Sequence, residues 1–108
     1  MHIHYDIMFT VPLAISAMPT FYNPRIGTSV TLNCVVTSGT ATSITWLKDN
    51  NILNINANAR LTNGGVSTPS LSISNVQQSD GGSYVCRAAD VTGTVVNSNT
   101  ITVTPQGM

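Results

Sequence analysis

A chain of 108 residues fits one domain with a single core. Only 7% of its residues are charged, four basic against four acidic, so it offers no basic stripe for nucleic acid and no polybasic segment for anionic lipid. Ser, Thr and Asn supply the polarity instead, which favours strands and turns over helices.

The first residues show no strand pattern. Ile7 to Ala17 is apolar and ends in small residues, like the core of a secretory signal, but no Lys or Arg precedes it and Pro12 interrupts it. The expectation is therefore a tail over residues 1–14, a first strand over Leu13 to Met18, a domain over 15–105 and a second tail at 106–108. Val30, Leu32, Cys34 and Val36 alternate with polar or outward residues, giving one face to a core. After a turn around Gly39, Ile44 and Trp46 alternate with Thr45 and Leu47 until the turn-prone cluster Asp49, Asn50, Asn51. Short strands are expected at Ile52 to Ile55 and from Arg60 to Thr62, the latter ended by Asn63, Gly64 and Gly65. Leu71 and Ile73 alternate with serines; Asn75 to Gly82 reads as a connecting turn. Tyr84, Cys86 and Ala88 share one face of the next strand, with Val85 and Arg87 on the other. Asp90 to Gly93 is a tight loop, and Ile101 and Val103 belong to the last strand. Turns at this spacing between short alternating strands predict an all-β sandwich or barrel.

Cys34 and Cys86 lie 52 positions apart, which does not suit the close pairs of a zinc site. They form either one long-range disulfide in an oxidising compartment or two buried thiols. A bridge over such a loop would add about 4 kcal/mol in the chain-entropy picture. No apolar run reaches the ~18 residues of a membrane helix, so a membrane enters only through further parts of a longer chain.

The order Cys34, Trp46, Cys86 resembles the immunoglobulin superfamily over roughly residues 15–104. Gly27 to Cys34 looks like the family's second strand and Trp46-Leu47-Lys48 like its third. Asp80-Gly81-Gly82-Ser83-Tyr84-Val85-Cys86 is similar to its Asp-x-Gly-x-Tyr-x-Cys signature, and the cysteine spacing looks most like the intermediate set. The resemblance implies an immunoglobulin-like Greek-key β-sandwich with a Cys34–Cys86 disulfide joining its sheets. It implies a core signature of Trp46, Leu71, Asp80 and Tyr84, with Arg60 pairing Asp80 at the bottom of the sandwich. Tyr84 would be the tyrosine corner, and Gly81-Gly82 would serve backbone geometry.

Chemistry is not expected. The only histidines, His2 and His4, lie at the terminus with just Asp6 nearby, so neither a metal site nor a Ser-His-Asp arrangement is predicted, and no cofactor or small-molecule substrate is implied. With Trp46 and Cys86 pointing inward, alternation turns Leu47, Val85 and Arg87 outward on one sheet, flanked by Thr45 and Thr102. In variable-type relatives of the family these positions lie on the face used for domain pairing. None of the eleven Asn residues sits in an Asn-x-Ser/Thr sequon, so that face should carry no N-linked glycan. The resemblance thus implies an extracellular, non-catalytic recognition or adhesion module with a homophilic or heterophilic protein partner. A spacer domain in a tandem array, binding nothing itself, is the alternative.

Overall fold

Alternation of hydroxyl residues with aliphatics resolves into eleven short strands over residues 11–107, the residues described by the computed structural model. In chain order they are β1 (Ala14–Ser16), β2 (Phe21–Tyr22), β3 (Val30–Leu32), β4 (Val35–Ser38), β5 (Ser43–Lys48), β6 (Asn51–Ile52), β7 (Leu61–Asn63), β8 (Leu71–Ile73), β9 (Gly82–Ala89), β10 (Val95–Asn97) and β11 (Ile101–Val103). One layer holds β1 against β4 and β3-β8-β7; the other runs β2-β11-β9-β5-β6, with β10 also paired to β9. The path changes layer after β1, β2, β4, β6 and β8, and the crossings after β4, β6 and β8 are in the manner of a Greek key.

Between the layers lie Leu32, Trp46, Leu71, Ile73, Tyr84 and Ile101, each 2% exposed or less. The Cys34–Cys86 disulfide joins the layers across a Cα separation of 6.5 Å. Trp46 stands opposite Cys86 in the β5–β9 register and donates its indole N–H to the Pro69 carbonyl at 2.8 Å, which satisfies the one polar atom that its burial strands. A smaller cluster of Leu13, Ala41 and Ala88 closes one end.

The structure differs from the sequence expectations at several strand ends. The first strand stops at Ser16, and the chain passes through Pro19, which has no N–H for a ladder, into β2, which runs parallel to β11. Leu13 is 5% exposed and Ala14 is in β1, so both belong to the fold and not to a tail. Gln106 also belongs to it, accepting from the Ile26 N–H and donating to the Pro24 carbonyl. The strand expected over Ile52 to Ile55 is only Asn51–Ile52, because Ile55–Ala57 turns into a single 3-10 turn. The next strand begins at Leu61 and includes Asn63. Asn75 to Gly82 is a turn containing a 3-10 segment at Gln78–Asp80, although Gly82 already opens β9.

Gly82 needs its missing side chain. Its φ is +149°, and a Cβ there would lie 2.8 Å from Oδ1 of Asp49, the atom that accepts the Ser83 N–H. Gly82→Ala is expected to cost about 1–3 kcal/mol, because it combines backbone strain with loss of that contact. A urea midpoint equal to that of the parent chain would show that the turn re-forms without cost.

Candidate functional site

Two regions carry the residues singled out by the sequence: the closed lower end of the sandwich and the outer face of the sheet centred on β9.

At the lower end, Arg60 just before β7 reaches the Asp80 carboxylate with two parallel bonds, Nη1 to Oδ2 at 2.7 Å and Nη2 to Oδ1 at 3.0 Å. Asp80 is 6% exposed, and its Oδ2 also accepts the Gln77 N–H at 2.7 Å. The Tyr84 hydroxyl donates to the Asp80 carbonyl, and Lys48 Nζ lies 5.9 Å from the centroid of the Tyr84 ring. Burial pushes the Asp80 carboxyl up, but the Arg60 and Gln77 hydrogen bonds, with the Arg60 and Lys48 charges, outweigh it and hold the group below its ordinary range. Arg60 is pushed further up, first by its hydrogen bond to Asp80. Burial, then the Asp80 and Asp49 charges, raise the Tyr84 phenol, which keeps its proton for the hydrogen bond. Every polar atom of this cluster named here faces another part of the fold, so its chemistry is that of a clamp.

On the outer face, cross-strand register aligns Thr45 with Arg87 and Asn97, Leu47 with Val85 and Ile52, and Thr102 with Ser83 and Phe21. Thr102 is exposed, while Thr45, Val85 and Arg87 are half-buried. The expectation of an exposed Leu47 is corrected: it is 9% exposed. Leu47 points away from the core, yet it stands on a central strand with Val85 on one side and Ile52 on the other, and these neighbours cover it. The exposed aliphatic of that row is Ile52, at 71%. Phe21 at 56% and Val95 at 55% extend the apolar surface to the far strands. A groove of about 480 Å³ continues from Thr45 and Ile52 around the β6 edge, with Leu53 and Asn54 among its walls.

Sequence reasoning missed Ile52, Phe21 and Val95 on this face. Ile52 was within reach. Asp49 and Asn50 both have positive φ, the two-residue hairpin geometry, and counting across that turn sets Ile52 opposite Leu47. Phe21 depends on a parallel pairing for which the sequence carries no turn signal.

Among the described residues, no three His, Cys, Asp or Glu side chains gather closely enough to hold a metal, and no helix is long and apolar enough to cross a membrane. His2, His4 and Asp6 lie outside the described residues.

Two strand layers pinned by one disulfide against a buried Trp, with a Tyr hydroxyl anchored four residues upstream, define a disulfide-bridged sandwich with a tyrosine corner. The family model of the immunoglobulin domain matches residues 15–89, and the chain belongs to that family. It is 30% identical over 100 residues to mouse Protein turtle homolog B, covering 86% of this chain and 7% of that protein. It is 32% identical over 75 residues to human Cell adhesion molecule DSCAM, covering 69% of this chain and 4% of that protein. The chain therefore spans only a small fraction of these curated relatives. Among solved structures, the tandem Ig repeats of Dlar superpose with a TM-score of 0.74 at 21% identity, over 92% of this chain and 47% of that one. At that identity the likeness concerns the fold.

Proposed function

We propose that the chain is an extracellular, non-catalytic protein-recognition module of adhesion type, docking through the outer face of the β9-centred sheet. The observation that carries this reading is the row of aliphatic side chains, Val85, Leu47 and Ile52, on the solvent side of a sheet whose inner side already fills the core. Thr45 and Thr102 flank the row with small hydroxyls, and Arg87 adds directed donors, a composition suited to a protein contact. The disulfide supports an oxidising location, and a relative named as a cell adhesion molecule supports the class of activity. The same reading assigns the domain to the intermediate set. Its support is that β6 adds one short strand beside β5, and the chain then leaves for β7 without a second added strand.

A spacer role is the competing reading, favoured by the 7% of the relative's length that this chain covers. The variant Ile52→Asp with Val95→Asp separates the two. Both residues are more than half exposed, so stability should change by no more than about 0.5 kcal/mol per site. On an array of purified cell-surface ectodomains, the parent chain should hold a partner that the double variant releases. A partner held equally by both proteins would overturn the docking face and move the contact to another surface, and no partner on the array would leave the spacer reading in its place.

A further inference from the structure

Among the described residues, the aligned rows of the docking face carry one charged side chain. Arg87 lies at the centre of the face between the neutral side chains Thr45 and Asn97. Its Nε donates to Asn97 Oδ1 at 3.0 Å, which holds the guanidinium in place, while its two terminal amino groups have no acceptor among the described residues. Water serves them in the free domain. A partner that covers Val85 and Ile52 also strips that water, and a desolvated guanidinium left unpaired would oppose binding. Two coplanar amino groups match the two oxygens of a carboxylate, a pairing that Lys cannot reproduce.

We propose, resting on the docking face assigned above, that its occupant is a different protein presenting a carboxylate to Arg87 between aliphatic side chains, and not a second copy of this chain. Two copies meeting face to face about a two-fold axis bring the same patch, and hence Arg87, to both sides of the contact. The described carboxylates of a second copy lie in the turns between strands, not at the centre of the face. Asp80 holds Arg60 and Gln77, Asp49 holds the Ser83 N–H, and Asp90 accepts from Thr92 and Thr94 within its own loop. The copy thus brings the wrong charge to the centre, and none of its described carboxylates stands there to answer it.

The probe is a displayed library of random peptides selected on the immobilised whole chain. Peptides that bind the parent chain but not the Ile52→Asp, Val95→Asp variant define face-dependent binders. These should be enriched in Asp or Glu between aliphatic residues. Arg87→Gln should weaken them more than about tenfold, with the melting temperature held, and Arg87→Glu should recover peptides whose carboxylate is changed to Lys. Face-dependent binders that lack an acid and bind Arg87→Gln as well as the parent would overturn the carboxylate pairing while leaving the docking face standing. A library with no face-dependent binder would overturn both. Sedimentation equilibrium covers the remaining occupant: a parent-chain dimer dispersed by Ile52→Asp with Val95→Asp would assign the face to a second copy and end the proposal.

Discussion

Replacing both Cys34 and Cys86 by Ala is expected to lower stability by about 2–5 kcal/mol, enough to leave the chain unfolded at physiological temperature. The bridge closes a sequence separation of 52 residues, so its loss frees a long stretch of the unfolded chain. The native side loses as well. Cys34 is 1% exposed and Cys86 is fully buried, both packed in the cluster that holds Trp46, so truncation opens a void that surrounding strands fill only in part. Two serines tie the cysteine backbones in place: Ser70 Oγ accepts the Cys34 N–H and Ser98 Oγ the Cys86 N–H, each at 3.0 Å. These bonds fix strand positions that the disulfide then locks, so they should not replace it. Urea unfolding of the double variant against the parent measures the loss, and the double change avoids a lone buried thiol. Two readily alkylated thiols in the unreduced native protein, or a loss under about 1 kcal/mol, would contradict the expectation.

What was legible in the sequence follows from which interactions are local. Side-chain parity along a strand is local, so Leu71 and Ile73, or Tyr84, Cys86 and Ala88, could be assigned to the inner face, and all five are buried. Parity also set Leu47 on the opposite side of β5 from Trp46, and Leu47 belongs to neither buried cluster. Its exposure was not legible, because that depends on Val85 and Ile52, which come alongside only when three strands pair. The same limit hid β10 and the irregularity at Ser98, where the last strand leaves β9 before rejoining it as β11. It hid Ser70 and Ser98 as partners of the cysteine amides, since a serine on a strand reads as a solvent-facing residue until its neighbour is known. The clamp between Arg60 and Asp80 became visible only through the family resemblance. Nothing in a separation of twenty residues joins those two side chains; what does so is the pairing of β7 with β8 and the 3-10 turn that follows.

Asp80→Ala is expected to cost about 3 kcal/mol, near the lower end for breaking a buried ion pair because the Arg60 side chain remains 22% exposed. The change removes both carboxylate acceptors of Arg60 and the acceptor of the Gln77 N–H, and it leaves the guanidinium against the sandwich floor with the Ser74 and Asn75 carbonyls but without a counterion. Arg60→Ala should cost less, since Asp80 keeps its bond to Gln77. A double-mutant cycle should return a coupling of roughly 0.5–3 kcal/mol between the two positions. Tyr84→Phe removes the bond to the Asp80 carbonyl, separating the backbone anchor from the ion pair. The pH dependence follows from the direction of the Asp80 shift. Its folded value lies below the unfolded one, so the stabilisation is fully present above the ordinary Asp value of about 3.9. It is lost as the pH falls from there through the lower folded value, where protonation of Asp80 leaves Arg60 unpaired. The two stability curves should therefore run parallel from neutral pH down to about pH 4, and below it the parent chain should lose stability faster than Asp80→Ala, so that the curves converge. Curves that stay parallel below that pH as well, or a cycle with no coupling, would mean that the ion pair seen at the base of the sandwich does not hold it closed.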